Sequence, residues 1–139
     1  APKTVENFLQ YVKDKHYDGT IFHRVIENFM VQGGGFDASY VQKKNRPPVV
    51  HEGREALGKG GSRNVVGTVA MARTNDPQSA SSQFFINVVD NQAIDHVSKA
   101  DGRTWGYAVF GKVVSGMEVV DKIKAMPTSA LKICWPGKV

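Results

Sequence analysis

The chain of 139 residues is about one domain long, and its 41% hydrophobic and 22% charged residues are ordinary for a globular protein with a sizeable core. It has no apolar run of about 18 residues, so we expect no membrane span, and its single cysteine, Cys134, excludes an internal disulfide framework and a cysteine-built zinc site. The formal net charge of +5 comes from scattered basic residues without interleaved aromatic ones, so we expect no specific nucleic-acid partner.

The first predicted elements are a helix and a hairpin. Pro2 suits the first turn of the helix and Asp18-Gly19 ends the segment. The apolar residues between them have the i, i+3, i+4, i+7 spacing of an amphipathic helix: Val5, Phe8, Leu9 and Val12. Residues 21–26 and 29–34 are rich in Ile, Val and Phe and are joined by the turn-like Glu27-Asn28, which predicts two antiparallel strands.

A long polar segment separates the hairpin from the later strands. Residues 37–64 contain Pro47-Pro48 and several glycines, so we expect a surface loop there. Strands are predicted at 65–72, 83–89 and 107–114. A second helix follows, with Ser115 as the capping residue, Glu118 three residues later, and an apolar stripe of Met117, Val120 and Ile123. Strands bunched between two helices favour a mainly β, antiparallel sheet or barrel covered by helices.

Several catalytic and metal-binding templates fail on single positions. His51-Glu52-Gly53-Arg54-Glu55 lacks the second histidine of a zinc-protease helix, and no nucleophile elbow or phosphate-binding loop is present. The four histidines are too far apart in sequence for a local metal signature, and surface or hydrogen-bonded roles are expected for them. We therefore expect neither a metal nor an organic cofactor.

Polar side chains share strand faces with large apolar ones. Period-two alternation places Met30 with Gln32 on one face of their strand and Gln83 with Phe85 on one face of theirs. Phe84 and Ile86 are expected to point the other way, into the core. An apolar stripe of this kind is more often core than binding site. The glutamines, together with Arg24, favour a binding site, because a buried amide or guanidinium needs partners.

Five sequence blocks, in order along residues 1–128, resemble the cyclophilins, the family of peptidyl-prolyl cis–trans isomerases, and are most similar to its bacterial members. The blocks are Phe22-His23-Arg24-Val25-Ile26, Phe29-Met30-Val31-Gln32-Gly33-Gly34, Gly67-Thr68-Val69-Ala70-Met71-Ala72-Arg73, Ser82-Gln83-Phe84-Phe85-Ile86-Asn87 and Tyr107-Ala108-Val109-Phe110-Gly111-Lys112-Val113. The resemblance implies an eight-stranded antiparallel β-barrel capped by two α-helices. It also implies an isomerase domain at 1–128 that lacks the family's first hairpin, and an atypical tail at 129–139 that replaces its last strand.

The resemblance also assigns the site residue by residue. Arg24 and Gln32 match the catalytic positions, with Arg24 as the family's essential arginine. The remaining matched positions are substrate-binding: His23, Phe29, Met30, Ala72, Arg73, Gln83, Phe85, Ile94 and Tyr107. Phe29, Met30, Phe85 and Ile94 belong to the pocket for the proline ring, and Ala72 and Arg73 to the strand that lends backbone hydrogen bonds to the peptide.

Ala93 departs from the family pattern, which has Trp in cyclosporin-sensitive members and Phe in many bacterial ones. We therefore expect weak cyclosporin binding. The leading hypothesis is an isomerase that accelerates X–Pro bond rotation in unfolded or flexible protein segments, and proline-containing polypeptides are its expected partners. The alternative is a proline-peptide binding or chaperone-like module with little turnover. We expect a cytoplasmic location, with the periplasm as the alternative.

Overall fold

The computed structural model describes residues 1–126, which form three helices, five strands and one 3₁₀ turn. The helices are α1 (Pro2–Lys13), α2 (Gly53–Gly58) and α3 (Met117–Lys124), and the 3₁₀ turn spans Gln92–Ile94. The strands are β1 (Thr20–Ile26), β2 (Met30–Asp37), β3 (Thr68–Met71), β4 (Phe84–Asn87) and β5 (Val109–Lys112). Within this part of the chain, no helix is both long and apolar enough to cross a lipid bilayer.

All the strands of residues 1–126 join one antiparallel sheet in the order β1-β2-β4-β3-β5. One face carries Val31, Phe84 and Ile86, which pack with α1 and α3 into the larger core. The other face carries Met30, Ala70 and Phe85, which form a second apolar cluster. The mainly β antiparallel fold is thus confirmed, whereas the eight-stranded barrel and its missing strands stay predictions, and the tail at 129–139 lies outside the described residues.

Helix α1 forms where it was predicted, but only part of the predicted stripe faces the core, where Phe8 packs against Tyr17 and Phe84. Leu9 and Val12 of the predicted stripe are 51% and 46% exposed, whereas Tyr11 is 1% exposed. The Tyr11 ring lies in the core, and its hydroxyl accepts a hydrogen bond from the backbone N–H of Arg46 at 2.7 Å. A tyrosine whose hydroxyl finds a partner buries more area than an aliphatic side chain, so the ring determines which face turns inward.

The prediction of a structureless loop over residues 37–64 is wrong at α2. Glu52 precedes this short helix, and its carboxylate accepts hydrogen bonds from the backbone N–H groups of Lys3 and Thr4 at 3.2 and 2.6 Å. The Thr4 hydroxyl donates to the same carboxylate at 2.6 Å. A helix of six residues is not stable by its local sequence, and contacts with α1, distant in sequence, hold it in place.

The predicted cap of the second helix is also wrong in detail. Helix α3 begins after Gly116, which has a left-handed φ of 94° and is the N-cap residue instead of Ser115. The cap makes no side-chain hydrogen bond, so the Ser115–Glu118 capping box does not form. Glycine adopts this conformation without a steric penalty, which lets the chain turn sharply from β5 into α3.

Three glycines in β2 allow close packing beside the candidate site. A Cβ atom on Gly33 would lie 2.9 Å from the Ile21 carbonyl oxygen, and one on Gly35 would lie 2.6 Å from the side chain of Gln83. Gly34 has a φ of 92°. These glycines therefore occupy positions without room for side chains. They lie within β2 and not at its end.

Candidate active site

A cavity of about 80 Å³ opens on the face of the sheet opposite α1 and α3. All of its lining residues belong to the predicted site: Arg24, Phe29, Met30, Gln32, Ala72, Arg73, Phe85 and Tyr107. They come from β1, the turn before β2, β2 itself, the two residues after β3, β4 and the segment before β5. The strand order, with β4 between β2 and β3, therefore brings together residues that are up to 83 positions apart in the sequence, as Arg24 and Tyr107 are.

The floor of this pocket is apolar and closely packed. Met30 and Phe85 are 1% and 4% exposed, and Ala70, which pairs with Phe85 across β3 and β4, is fully buried. The rings of Phe85 and Tyr107 meet edge to face, with centroids 5.5 Å apart and an interplanar angle of 82°. Ile94, on the 3₁₀ turn, packs against this cluster without lining the cavity. A small apolar ring would therefore meet carbon atoms on most sides.

One wall of the pocket carries a line of polar groups. The side-chain N–H of Gln32 donates to the Gln83 side-chain oxygen at 2.9 Å, and the Gln32 oxygen lies 3.5 Å from Nη1 of Arg24. Arg24 is exposed, and no ion pair among residues 1–126 involves it. Its guanidinium is therefore available as a hydrogen-bond donor at the rim of the pocket.

The second arginine, Arg73, is built into the opposite wall. Its guanidinium donates to the backbone carbonyls of Gly102, Gly106 and Thr74 at 2.6 to 3.0 Å. It also lies over the Tyr107 ring, 4.6 Å from the centroid. Burial lowers the pKa of Arg73 from its ordinary value, although the guanidinium stays charged at neutral pH. The sequence predicted only a backbone role at this position, and the ring contact shows a side-chain role as well.

His23 lies beside this pocket but does not line it. It is the extra residue of a β-bulge in β1, where Phe22 pairs with Gly33 and Arg24 pairs with Gln32. Its ring packs against Phe36, with centroids 4.7 Å apart. Burial, and to a smaller degree the charge of Arg24, lowers the pKa of His23, so the ring is neutral at pH 7. The bulge turns Arg24 toward the pocket.

Backbone and loop groups complete the surroundings. The N–H of Ala72 donates to the carbonyl of Gln83 at 3.0 Å, so this donor is already used within the sheet. Trp105 packs against His51 at 5.2 Å and His96 at 5.7 Å and therefore stabilises its own loop. Ala93 is exposed on the 3₁₀ turn. Within residues 1–126, no group of three or more His, Cys, Asp or Glu side chains is placed to hold a metal ion.

The sequence reasoning missed three asparagines that lie beneath the pocket. Asn64, Asn87 and Asn91 are joined to each other by side-chain hydrogen bonds, and two of them also reach the backbone of pocket residues. Asn87 is the last residue of β4, after three apolar residues, and the whole strand is buried. Because a buried amide needs hydrogen-bond partners, this asparagine is the signal in the sequence from which the network could have been predicted.

Known proteins resemble this chain closely in sequence. A family model described as cyclophilin type peptidyl-prolyl cis-trans isomerase/CLD matches residues 1–135. A peptidyl-prolyl cis-trans isomerase of Streptomyces antibioticus is 57% identical over 130 residues, which cover 94% of this chain and 75% of that protein. Peptidyl-prolyl cis-trans isomerase B of Escherichia coli K12 is 51% identical over 128 residues, which cover 92% of this chain and 74% of that protein. The chain belongs to the cyclophilin-type peptidyl-prolyl cis-trans isomerases.

Further comparisons agree with this cyclophilin assignment. Peptidyl-prolyl cis-trans isomerase A of Dickeya dadantii is 55% identical over 92% of this chain, which spans 63% of that protein. A cyclophilin-type isomerase of Cryptosporidium parvum, crystallised in the presence of the dipeptide Ala-Pro, has a TM-score of 0.63 at 22% identity, over 96% of this chain and 78% of that one. The predicted family, fold class and enzyme class, a peptidyl-prolyl cis-trans isomerase, are confirmed.

Proposed function

We propose that this cyclophilin accelerates X–Pro bond rotation in unfolded or flexible protein segments, with Arg24 as the catalytic donor. The single observation that carries the proposal is an exposed guanidinium at the rim of a small apolar pocket, beside a hydrogen-bonded pair of amides and without an ion-pair partner among residues 1–126. The crystal structure of the Cryptosporidium parvum relative, determined in the presence of Ala-Pro, supports a proline-containing peptide as the ligand class.

The chemistry needs no acid, base or nucleophile. Amide resonance raises the barrier to rotation to about 18–20 kcal/mol, and uncatalysed X–Pro isomerisation takes tens to hundreds of seconds. Twisting the bond returns the lone pair to the prolyl nitrogen, which then becomes a hydrogen-bond acceptor. A donor that points at this nitrogen stabilises the twisted state more than either planar state, and this difference lowers the barrier.

Arg24 has the properties that this donor requires. Its guanidinium stays charged and holds several N–H groups in a fixed plane. Contact with the Gln32 side-chain oxygen orients that plane, and the Gln32–Gln83 hydrogen bond fixes the glutamine in turn. A bound peptide would displace water from the pocket, which strengthens the interaction between the guanidinium and the nitrogen.

The apolar floor and the amides have a complementary role. Met30, Phe85 and Phe29 surround the space for a proline ring, and they hold one side of the rotating bond by contact area. Gln32 and Gln83 offer amide groups to the carbonyl on the other side of the bond. Rotation then turns one half of the peptide against an anchored half, so the bound geometry lowers the entropic part of the barrier.

The test is NMR exchange spectroscopy on a short X–Pro peptide with the wild-type chain, Arg24→Ala and Arg54→Ala. Arg54 is an exposed arginine on α2, away from the pocket, and is the matched control. We expect Arg24→Ala to lower the isomerisation rate about a hundredfold or more while peptide binding persists, and Arg54→Ala to behave as wild type. Peptide binding without rate enhancement in the folded wild-type chain would instead support the binding or chaperone-like module.

Weak cyclosporin binding is a second expected outcome, and Ala93 is its cause. Ala93 is exposed on the 3₁₀ turn, next to Ile94, which packs against the apolar cluster of the pocket. It offers only a methyl group at the position where cyclosporin-sensitive members of the family have tryptophan. Calorimetric titration should show that Ala93→Trp binds cyclosporin about tenfold more tightly than the wild-type chain. Ala100→Trp, at another exposed alanine, is the control, and tight binding by the wild-type chain would contradict the prediction.

A further inference from the structure

A chain of buried amides runs beneath the candidate pocket. Asn64 and Asn87 are fully buried, and Asn91 is half-buried. The Asn91 side chain donates to the Asn87 side-chain oxygen at 2.8 Å, and Asn87 donates to the Asn64 side-chain oxygen at 3.0 Å. Asn64 donates to a carboxylate oxygen of Asp95 at 2.8 Å. We name Asn91, Asn87 and Asn64, together with the Asp95 carboxylate at which they end, the amide chain.

Every amide N–H in this chain has an acceptor. The second N–H of Asn87 donates to the Thr68 hydroxyl at 3.0 Å, and the second N–H groups of Asn64 and Asn91 donate to backbone carbonyls. All the amide-to-amide bonds point toward Asp95, which is 4% exposed and lies 3.5 Å from Arg63. Hydrogen bonds aligned toward a buried charge polarise one another, so the amide chain is held in one orientation.

The backbone carbonyls at its ends belong to the pocket. Asn91 donates to the carbonyl of Phe29 at 2.9 Å, and Asn64 donates to the carbonyl of Tyr107 at 3.1 Å. Asp95 directly follows Ile94, whose own carbonyl accepts the N–H of Tyr107 at 2.9 Å. The amide chain thus bonds directly to two residues that line the pocket, Phe29 and Tyr107, and is continuous in sequence with Ile94, which packs against the apolar cluster. These three residues come from three separate segments of the sequence.

These three segments have little other regular structure to fix them. Phe29 lies in the hairpin turn before β2, Ile94 lies on the 3₁₀ turn, and Tyr107 precedes β5, so none of the three belongs to a strand. Outside the amide chain, the Phe29 carbonyl accepts one further hydrogen bond, from the N–H of Val88 at 3.2 Å. A fully buried amide is costly unless all its groups are paired, and apolar residues would fill the same space without that requirement. The asparagine side chains supply directional hydrogen bonds to the three segments, and hydrophobic packing would not supply such bonds.

We infer that the amide chain positions the proline pocket, with Asn91 acting through the carbonyl of Phe29 and Asn64 acting through the carbonyl of Tyr107. These asparagines are positioning residues and touch no substrate. The inference rests on the proposed function of the pocket. We expect these asparagines to affect peptide affinity, because they hold the apolar wall of the pocket in place. The rotation rate of the bound peptide depends instead on Arg24.

The test uses Asn91→Ala, because Asn91 is half-buried and its loss leaves no buried charge unpaired. Asn7→Ala is the matched control, since Asn7, on α1, is also half-buried and its side chain donates to the carbonyl of Ser81 at 2.7 Å, and neither residue lines the pocket. NMR exchange at several concentrations of an X–Pro peptide yields both the Kd and the rotation rate of bound peptide. Urea unfolding gives the folded fraction by which both values are corrected.

We expect Asn91→Ala to raise the Kd about fivefold over Asn7→Ala, with the rotation rate of bound peptide within about twofold of wild type. A Kd equal to that of the control would overturn the inference while leaving the proposed function intact, because the wild-type chain would still bind and catalyse. A loss of the bound-state rate with no change in Kd would also overturn it. A wild-type chain without peptide binding would refute the proposed function itself.

Discussion

The two faces of the sheet use the same strands for different purposes. On the helix-covered face, Phe84 is surrounded by the rings of Phe8, Tyr17 and Phe22, with centroids 5.5 to 6.4 Å away. On the pocket face, its neighbour Phe85 meets one ring, Tyr107, and a cavity of about 80 Å³. The helix-covered face is filled with apolar atoms, whereas the pocket face leaves space and carries charged groups.

This difference shows how a small sheet can support a binding site. Close-packed interiors stabilise a fold, and an unfilled apolar cavity beside exposed cations does not. Because side chains alternate along each strand, neighbouring residues such as Val31 and Gln32 serve opposite faces with no change in the backbone. Stability can therefore come mainly from one face while the other is left open for a ligand.

The largest effect that would test this comparison is the replacement of the two neighbouring phenylalanines. Phe84→Ala should lower the free energy of unfolding by about 3–5 kcal/mol, because it leaves a closed cavity among three rings. Phe85→Ala should cost less stability, since its side chain borders space that is already open, and should weaken peptide binding about tenfold. Urea unfolding and peptide titration measure the two effects.

Phe84→Ala and Phe85→Ala are controls for each other, since both residues are phenylalanines that are 4% exposed and they lie on opposite faces of the sheet. Equal losses of unfolding free energy in the two variants would contradict the division between the faces.

A smaller effect is expected from Gly35→Ala on the pocket face. The added Cβ would lie 2.6 Å from the side chain of Gln83, so this side chain must shift, and we expect its hydrogen bond with Gln32 to weaken. Overpacking of this kind costs about 1–3 kcal/mol, and we expect the catalytic rate to fall about tenfold. Gly111→Ala, in β5 with no atom near the new Cβ, is the control, and a rate unchanged in both variants would exclude a role for the amide pair.

The smallest expected effect concerns pH and the helix-covered face. Burial opposes ionisation of Glu52, but the hydrogen bonds from Thr4 and Lys3 outweigh it and lower the pKa of this carboxyl below its ordinary value of 4.5. A lowered folded-state pKa adds stability that is complete above the unfolded value and is lost as pH falls through the folded value. Glu52→Gln should therefore cost about 1 kcal/mol at pH 7 and flatten the acid dependence of unfolding.

Urea unfolding at pH values above and below 4.5 checks this prediction. Glu55→Gln, an exposed change on the same short helix, is the control, and the isomerisation rate at pH 7 should be unchanged in both variants. An acid dependence of equal steepness in wild type and Glu52→Gln would show that other carboxylates are responsible.

Much of the fold was predictable because strand patterns are local. The hairpin β1–β2 and the strands β3, β4 and β5 form within a few residues of the predicted ranges. The inward face of α1 was predictable only in part: Phe8 packs in the core as the stripe indicates, but Tyr11 enters the core because a distant backbone group, the N–H of Arg46, satisfies its hydroxyl. Helix α2 was missed for the same reason, since Glu52 finds its partners 48 and 49 residues away.

The candidate site divides in a similar way. The matched motifs placed Arg24, Gln32 and Phe85 in one pocket, and the structure brings them together. They did not indicate that His23 would be the extra residue of a bulge, or that the Arg73 side chain would lie over Tyr107. Local motifs specify which residues are present, but a bulge or a ring contact depends on the register and packing of the neighbouring segment.

The sequence by itself determined the residue types of the pocket, the alternation that separates Phe84 from Phe85, and the membership of a cyclophilin-type family. Only the tertiary structure decided that β4 lies between β2 and β3, which joins Gln32 to Gln83 and closes the pocket. It also decided that the asparagines form one hydrogen-bonded chain beneath the site. Periodicity reports the face on which a side chain lies, whereas contacts across more than 50 residues depend on how the whole chain closes around its core.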